Sequence, residues 1–101
     1  MKFDTSKKIL VIGRAGIDIY PEPPGTQIEN VLNFSSHLGG SAANTCVALS
    51  NLGVGSDLVT CISEDAIGDY IFKKLNSFNV GTTHFRKVDK KFQTQVAVVE
   101  T

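Results

Sequence analysis

The chain has 101 residues, 42% hydrophobic and 20% charged, which is ordinary usage for one small folded unit. Ten basic residues balance ten acidic ones, so no cationic excess draws the chain to nucleic acid or to an anionic membrane surface. No apolar run is long enough to span a bilayer, and the charges before Lys8 precede no secretory apolar stretch, so the expected compartment is cytoplasmic.

The first element is the apolar run 9–12, Ile-Leu-Val-Ile, which ends at Gly13. An unbroken run of this length predicts a strand buried on both faces of a parallel sheet. Residues 17–20 then alternate, with Ile17 and Ile19 on one side and Asp18 and Tyr20 on the other, as in a half-exposed strand. Pro21, Pro23, Pro24 and Gly25 break the pattern into a loop. Residues 31–35 read as a return strand.

Gly39-Gly40 leads into a helix predicted over 41–52, with Ser41 as its N-cap and Gly53 as its stop. Its inner stripe, Ala42, Cys46, Leu49 and Gly53, is built of small residues that allow close packing on a sheet. A strand over 57–62 completes a βαβ unit. A second helix covers 66–78, capped by Asp65, with Ile67, Ile71, Leu75 and Phe78 inside and Lys73 and Lys74 in solvent. A short strand near His84-Phe85 and a final strand over 94–100, rich in β-branched residues, close the chain. A bare terminal strand suggests a longer parent. Cys46 and Cys61 have no zinc-site spacing and are expected to be reduced core residues.

Two stretches suggest chemistry. Gly13-Arg14-Ala15-Gly16 follows a strand but lacks the third glycine and the immediate helix of a dinucleotide fingerprint. Gly39-Gly40-Ser41-Ala42-Ala43-Asn44 offers close backbone approach, the free N–H groups of a helix start, and an amide that both donates and accepts. A polyol needs that mixture. The pair also fits a tight strand-to-helix turn with no ligand. Asp18 lies on the polar side of a strand leaving the C-terminal edge of the sheet, where α/β folds bind ligands, and its carboxylate can accept from two neighbouring hydroxyls. Alone it is also consistent with a surface carboxylate.

Together, Asp18, the Gly39-Gly40-Ser41-Ala42-Ala43-Asn44 turn, Val47-Ala48, Leu52-Gly53 and the acidic turn Ser63-Glu64-Asp65-Ala66-Ile67-Gly68 resemble the N-terminal signature of the ribokinase / phosphofructokinase-B sugar kinases. The likeness covers nearly the whole chain. The stretches 13–18 and 34–41 look most like the subgroup that acts on 5-dehydro-2-deoxygluconate in inositol breakdown. Kinases of 2-keto-3-deoxygluconate or ribose, and a stand-alone sugar-binding module, are the alternatives. Cys46 and Ser63 depart from the family's usual residues, which are Ser, Thr or Ala at the first and Gly at the second.

The resemblance implies an α/β fold, the N-terminal part of a Rossmann-like ribokinase domain, with a small β lid from strands 17–20, 31–35 and 94–100. It implies that Asp18, Gly39, Gly40 and Asn44 hold sugar hydroxyls. Arg14 is a further candidate, because a guanidinium binds an acid sugar's carboxylate in bidentate fashion; pairing within the protein is its alternative. The expected partner is a small sugar or sugar acid, with a second copy docking through the lid. ATP and Mg2+ belong to the parent enzyme and are not expected to bind these residues alone. The family's Gly-Ala-Gly-Asp catalytic segment is absent from the sequence, so no catalytic base and no metal ligand is assigned, and this stretch is expected to be inactive by itself.

Overall fold

The computed structural model of the chain describes residues 6–89 and 91–100. Residues 1–5 of the stretch read for a signal, and Thr101, lie outside the described residues.

Among the described residues six strands and two α-helices, with a short 3-10 turn at Ile28–Asn30, form two small sheets with one helical layer. In chain order they are β1 (Ile9–Ile12), β2 (Gly16–Glu22), β3 (Asn33–Gly39), α1 (Ser41–Asn51), β4 (Ser56–Ser63), α2 (Ala66–Ser77), β5 (Phe85–Val88) and β6 (Val96–Val98). The first sheet is parallel, in the order β1-β4-β5; the second has the order β3-β2-β6. Parallel pairing of β1 with β4 across α1 is the expected βαβ unit. The second sheet joins the three strands assigned to the lid: β2 runs antiparallel to β3 and parallel to β6.

The core lies between the first sheet and the helices. Leu58 and Ile62 of β4 meet Ala43 and Cys46 of α1 and Ile71 and Leu75 of α2. Full burial of a Leu or Ile side chain contributes about 1.5–3 kcal/mol before entropy is counted, so this cluster is the main support of the fold. The small-residue stripe expected on α1 holds in part: Ala42 and Cys46 are buried, but Leu49 is only half-buried and Gly53 is exposed beyond the helix end, while Ala43, outside that stripe, is fully buried because the helix turns its Ala42–Ala43 side to the strands.

Several expectations are corrected. Strand β1 is not buried on both faces: Leu10 is 59% and Ile12 79% exposed. It is an edge strand, and the helices cover one face only. The molecule measures 18 Å across its thinnest dimension. A helix with side chains is already about 10–12 Å wide, so no second helical layer fits. The N-cap of α1 is Gly40, and Ser41 is the first helical residue. Strand β3 starts two residues later than predicted and runs to Gly39, because its ladder with β2 extends from Glu22↔Asn33 to Gly16↔Gly39. The last strand is shorter than 94–100, since only 96–98 find a partner in β2. Phe78 is exposed and Val80 is buried in its place, because the chain leaves the helix after Ser77. Cys61 is exposed on the uncovered side of β4, whereas Cys46 is core; both are free thiols.

The cap of α2 is as expected. The Asp65 side chain accepts from the Gly68 N–H at 2.9 Å.

Candidate functional site

The site begins where β1 ends. After Ile12 the chain crosses Gly13-Arg14-Ala15 and enters β2, while β3 returns to Gly39 and Gly40 beside it. Both crossings converge on the N-terminus of α1, at the C-terminal edge of the first sheet.

Close backbone contact holds this junction together. A Cβ at Gly39 would lie 2.5 Å from Oδ1 and 2.7 Å from Cγ of Asp18. Absence of a side chain at Gly39 is therefore what leaves room for the Asp18 carboxylate. Gly40 has φ of 96° and packs against the Arg14 carbonyl, a conformation that other residues adopt only with strain. As the N-cap it brings no side-chain hydrogen bond to α1. The N–H groups of the first turn thus lack a side-chain cap, in contrast to α2, where Asp65 supplies one.

Two hollows meet at Asp18. One, of about 360 Å³, is lined by Arg14, Gly16, Asp18, Gly40, Ser41 and Gln95 among others. The other, of about 420 Å³, is lined by Asp18, Tyr20, Glu22, Ser35, His37 and Asn44, with prolines and Leu38 at its margin. Arg14, Asp18 and Gly40 thus share one cleft, and Asn44 lines the neighbouring one together with Asp18. Gly39 is buried and lines neither; the part visible here is to make space for Asp18. Arg14 is exposed and makes no ion pair among the described residues, so pairing within these residues does not account for it. A larger hollow of about 730 Å³ lies mainly on the uncovered face of the first sheet, between Ile12, Val59, Cys61, Arg86 and Phe92. It is chiefly apolar and lies apart from the convergence of Asp18, Gly40 and the start of α1.

Sequence reasoning missed Gln95 and the tie that fixes it. Ser63 is buried, and its hydroxyl donates to Asp65 Oδ1 at 2.6 Å. With that proton committed, the Thr94 hydroxyl must donate to Ser63 Oγ across 2.5 Å, while the Ser63 N–H donates to Thr94 Oγ1 at 3.1 Å. Thr94 holds Gln95, whose carbonyl accepts from the Ile17 N–H at 3.1 Å. The wall of the cleft is thereby anchored to the end of β4. The Ser63 hydroxyl, with the Gly68 and Ile67 N–H groups, holds the Asp65 carboxyl below its ordinary value near 3.8. Nothing local in sequence links Ser63 to Thr94; the departure from Gly at 63 was the one available signal.

Among the described residues no three of His, Cys, Asp or Glu gather in a way that would hold a metal ion. No helix is long and apolar enough to cross a membrane.

Residues 6–101 match a family model described as pfkB family carbohydrate kinase. Among curated proteins, the 5-dehydro-2-deoxygluconokinase of Photobacterium profundum is 32% identical over 91 residues, covering 90% of this chain and 28% of that protein. A protein of the same description from Clostridium botulinum is 31% identical over 88 residues, 85% of this chain and 26% of its own length. Among solved structures, an uncharacterized sugar kinase from Pyrococcus horikoshii in complex with ATP superposes with a TM-score of 0.81 at 33% identity, over 91% of this chain and 30% of that one. The 2-dehydro-3-deoxygluconokinase of Thermotoga maritima superposes at 0.84 with 22% identity, over 92% and 28%, which shows a shared fold. The chain spans little more than a quarter of the length of the curated relatives it matches.

Proposed function

We propose that this chain, which belongs to the pfkB family of carbohydrate kinases, forms the sugar-binding part and lid of a cytoplasmic kinase that phosphorylates a keto-deoxy sugar acid such as 5-dehydro-2-deoxygluconate. The observation that carries this reading is the position of Asp18. Its carboxylate is seated on Gly39 and stands between a cleft with Arg14 and the helix start on one side and Asn44 on the other.

Each group has a chemical task in that reading. Asp18 accepts hydrogen bonds from adjacent sugar hydroxyls. Asn44 donates to one oxygen and accepts from another. The N–H groups at the start of α1 and the Arg14 guanidinium face the sugar's carboxylate. The names of the curated relatives support the choice of sugar acid.

ATP is proposed as the phosphoryl donor, in keeping with the ATP-bound relative. The described residues hold no set of carboxylates suited to Mg2+, and no step is assigned to the metal or the nucleotide here. The catalytic base and nucleotide site are proposed to lie in parts of the complete kinase outside these 101 residues. The lid is proposed to pair with a second copy, since β3 is an edge strand that carries exposed Phe34 and is preceded by exposed Leu32.

The test is steady-state phosphorylation by the complete kinase with ATP, over 5-dehydro-2-deoxygluconate, 2-dehydro-3-deoxygluconate and ribose. Preference for a sugar acid, with KM raised on the order of 100-fold by Asp18→Ala, is the expected result. Equal use of ribose would overturn the acid assignment. An Asp18→Ala enzyme with unchanged KM and turnover would remove the site itself.

A further inference from the structure

The hollow beside Asp18 contains a polar chain that the preceding assignments do not use. Ser35 Oγ donates to Glu22 Oε1 at 2.8 Å and also lies 3.2 Å from His37 Nε2. A serine hydroxyl has one proton, and here the carboxylate takes it. The contact with His37 therefore runs the other way: His37 Nε2–H donates to Ser35. That fixes the ring tautomer, and in the neutral imidazole it leaves Nδ1 as an acceptor. No partner for Nδ1 occurs among the described residues. The ring is further held by an edge contact with Tyr20, at 5.2 Å between centroids and 81° between planes.

This is not a nucleophile relay. In such a relay the acid orients the imidazole; here it sits on the serine, so neither serine nor histidine is activated. What the arrangement provides is an oriented imidazole with one open acceptor. Its place is specific. His37 stands directly opposite Asp18 in the β2–β3 ladder, and both line the same hollow with Asn44. Directly opposed residues have Cβ atoms about 4.5–5.5 Å apart, so one small polyol can reach both.

Resting on the sugar-site reading above, we propose that His37 is a specificity-determining residue that accepts a hydrogen bond from a hydroxyl of the sugar held by Asp18. A lone acceptor selects a hydroxyl at that carbon and disfavours a carbonyl or a deoxy position, because only the hydroxyl donates. The two isomeric acids 5-dehydro-2-deoxygluconate and 2-dehydro-3-deoxygluconate differ in where those groups fall, so His37 discriminates between them. Glu22 and Ser35 act through His37 as positioning residues.

The experiment compares His37→Phe, His37→Asn, Ser35→Ala and Asp18→Ala in the complete kinase, with both acids as substrates. His37→Phe keeps an aromatic ring against Tyr20 but has no ring nitrogen. It is expected to raise KM for the preferred acid about tenfold, with kcat little changed, and to narrow the ratio between the two acids by a similar factor. His37→Asn places an amide near the Nδ1 position and is expected to recover most of that loss. Ser35→Ala is expected to fall between. If His37→Phe matches wild type in KM and in the ratio while Asp18→Ala is defective, the proposal is overturned and the sugar site stands. If Asp18→Ala is also unaffected, both fall. A second readout needs no substrate: imidazole 15N spectra of the wild-type protein at about pH 8.5, above the ordinary histidine range, should show His37 protonated at Nε2. Protonation at Nδ1 would overturn the proposal directly.

Discussion

Replacing Gly39 by alanine tests the site most sharply, because affinity and stability should separate. The new Cβ would lie 2.5 Å from Oδ1, 2.7 Å from Cγ and 3.0 Å from Oδ2 of Asp18, where ordinary contact begins at 3.4 Å. The carboxylate must therefore retreat by roughly 1 Å, and misplacement on that scale costs on the order of 100-fold in a positioned site. The obstacle is the end of a side chain, which can rotate. Forcing Asp18 off its preferred rotamer costs about 0.5–1.5 kcal/mol, so the fold should survive. Urea unfolding should show a loss of about 1 kcal/mol, while KM of the complete kinase for the proposed sugar acid should rise about 30- to 100-fold. Gly40→Ala is the contrast. There the new Cβ meets the Arg14 backbone at φ of 96°, and backbone cannot rotate away. Left-handed strain and overpacking together should cost about 3 kcal/mol, and binding should fall with stability. A folded Gly39→Ala enzyme with wild-type KM would refute the claim that Asp18 must sit where Gly39 allows it.

Three further outcomes follow from the packing. Ser63→Ala removes the donor to Asp65 and the acceptor for Thr94; it should cost about 1–2 kcal/mol and raise amide exchange in β6, read by hydrogen–deuterium exchange. Asp65 has its carboxyl held below the ordinary value near 3.8, so its contribution is present above that pH and is lost as pH falls through the lower folded value. Acid titration of Asp65→Asn, followed by circular dichroism, should accordingly show a shallower loss of stability below about pH 4. Ile12→Ser in the isolated chain should change stability by less than about 0.5 kcal/mol, whereas Leu58→Ala should cost about 2–5 kcal/mol. A large effect of Ile12→Ser in the isolated chain would contradict its 79% exposure.

Much of the candidate site could be proposed before the structure because its signals are local. Glycines beside a helix start, a carboxylate two residues after Gly16, and an amide in the first helical turn lie within short stretches, and their spacing carries the chemistry. The βαβ order and the Asp65 cap were legible for the same reason. His37 was not, because its meaning depends on Ser35 and Glu22, which only the β2–β3 register brings alongside it.

Propensity, periodicity and turn chemistry act over a few residues, so the order of strands and helices, the burial of Ala42 and Cys46 on α1 and the candidates Asp18, Gly39, Gly40, Asn44 and Arg14 are readable from the chain alone. Three features came from the packing of distant segments. That packing put Asn44 on a hollow neighbouring the Arg14 cleft. It tied Gln95 into the wall through Ser63 and Thr94. It left β1 exposed despite its apolar run. The reason is common to all three: which residues become neighbours, and which face goes uncovered, is set by pairing between distant segments, and a period along the chain records which way a side chain points but not what it meets.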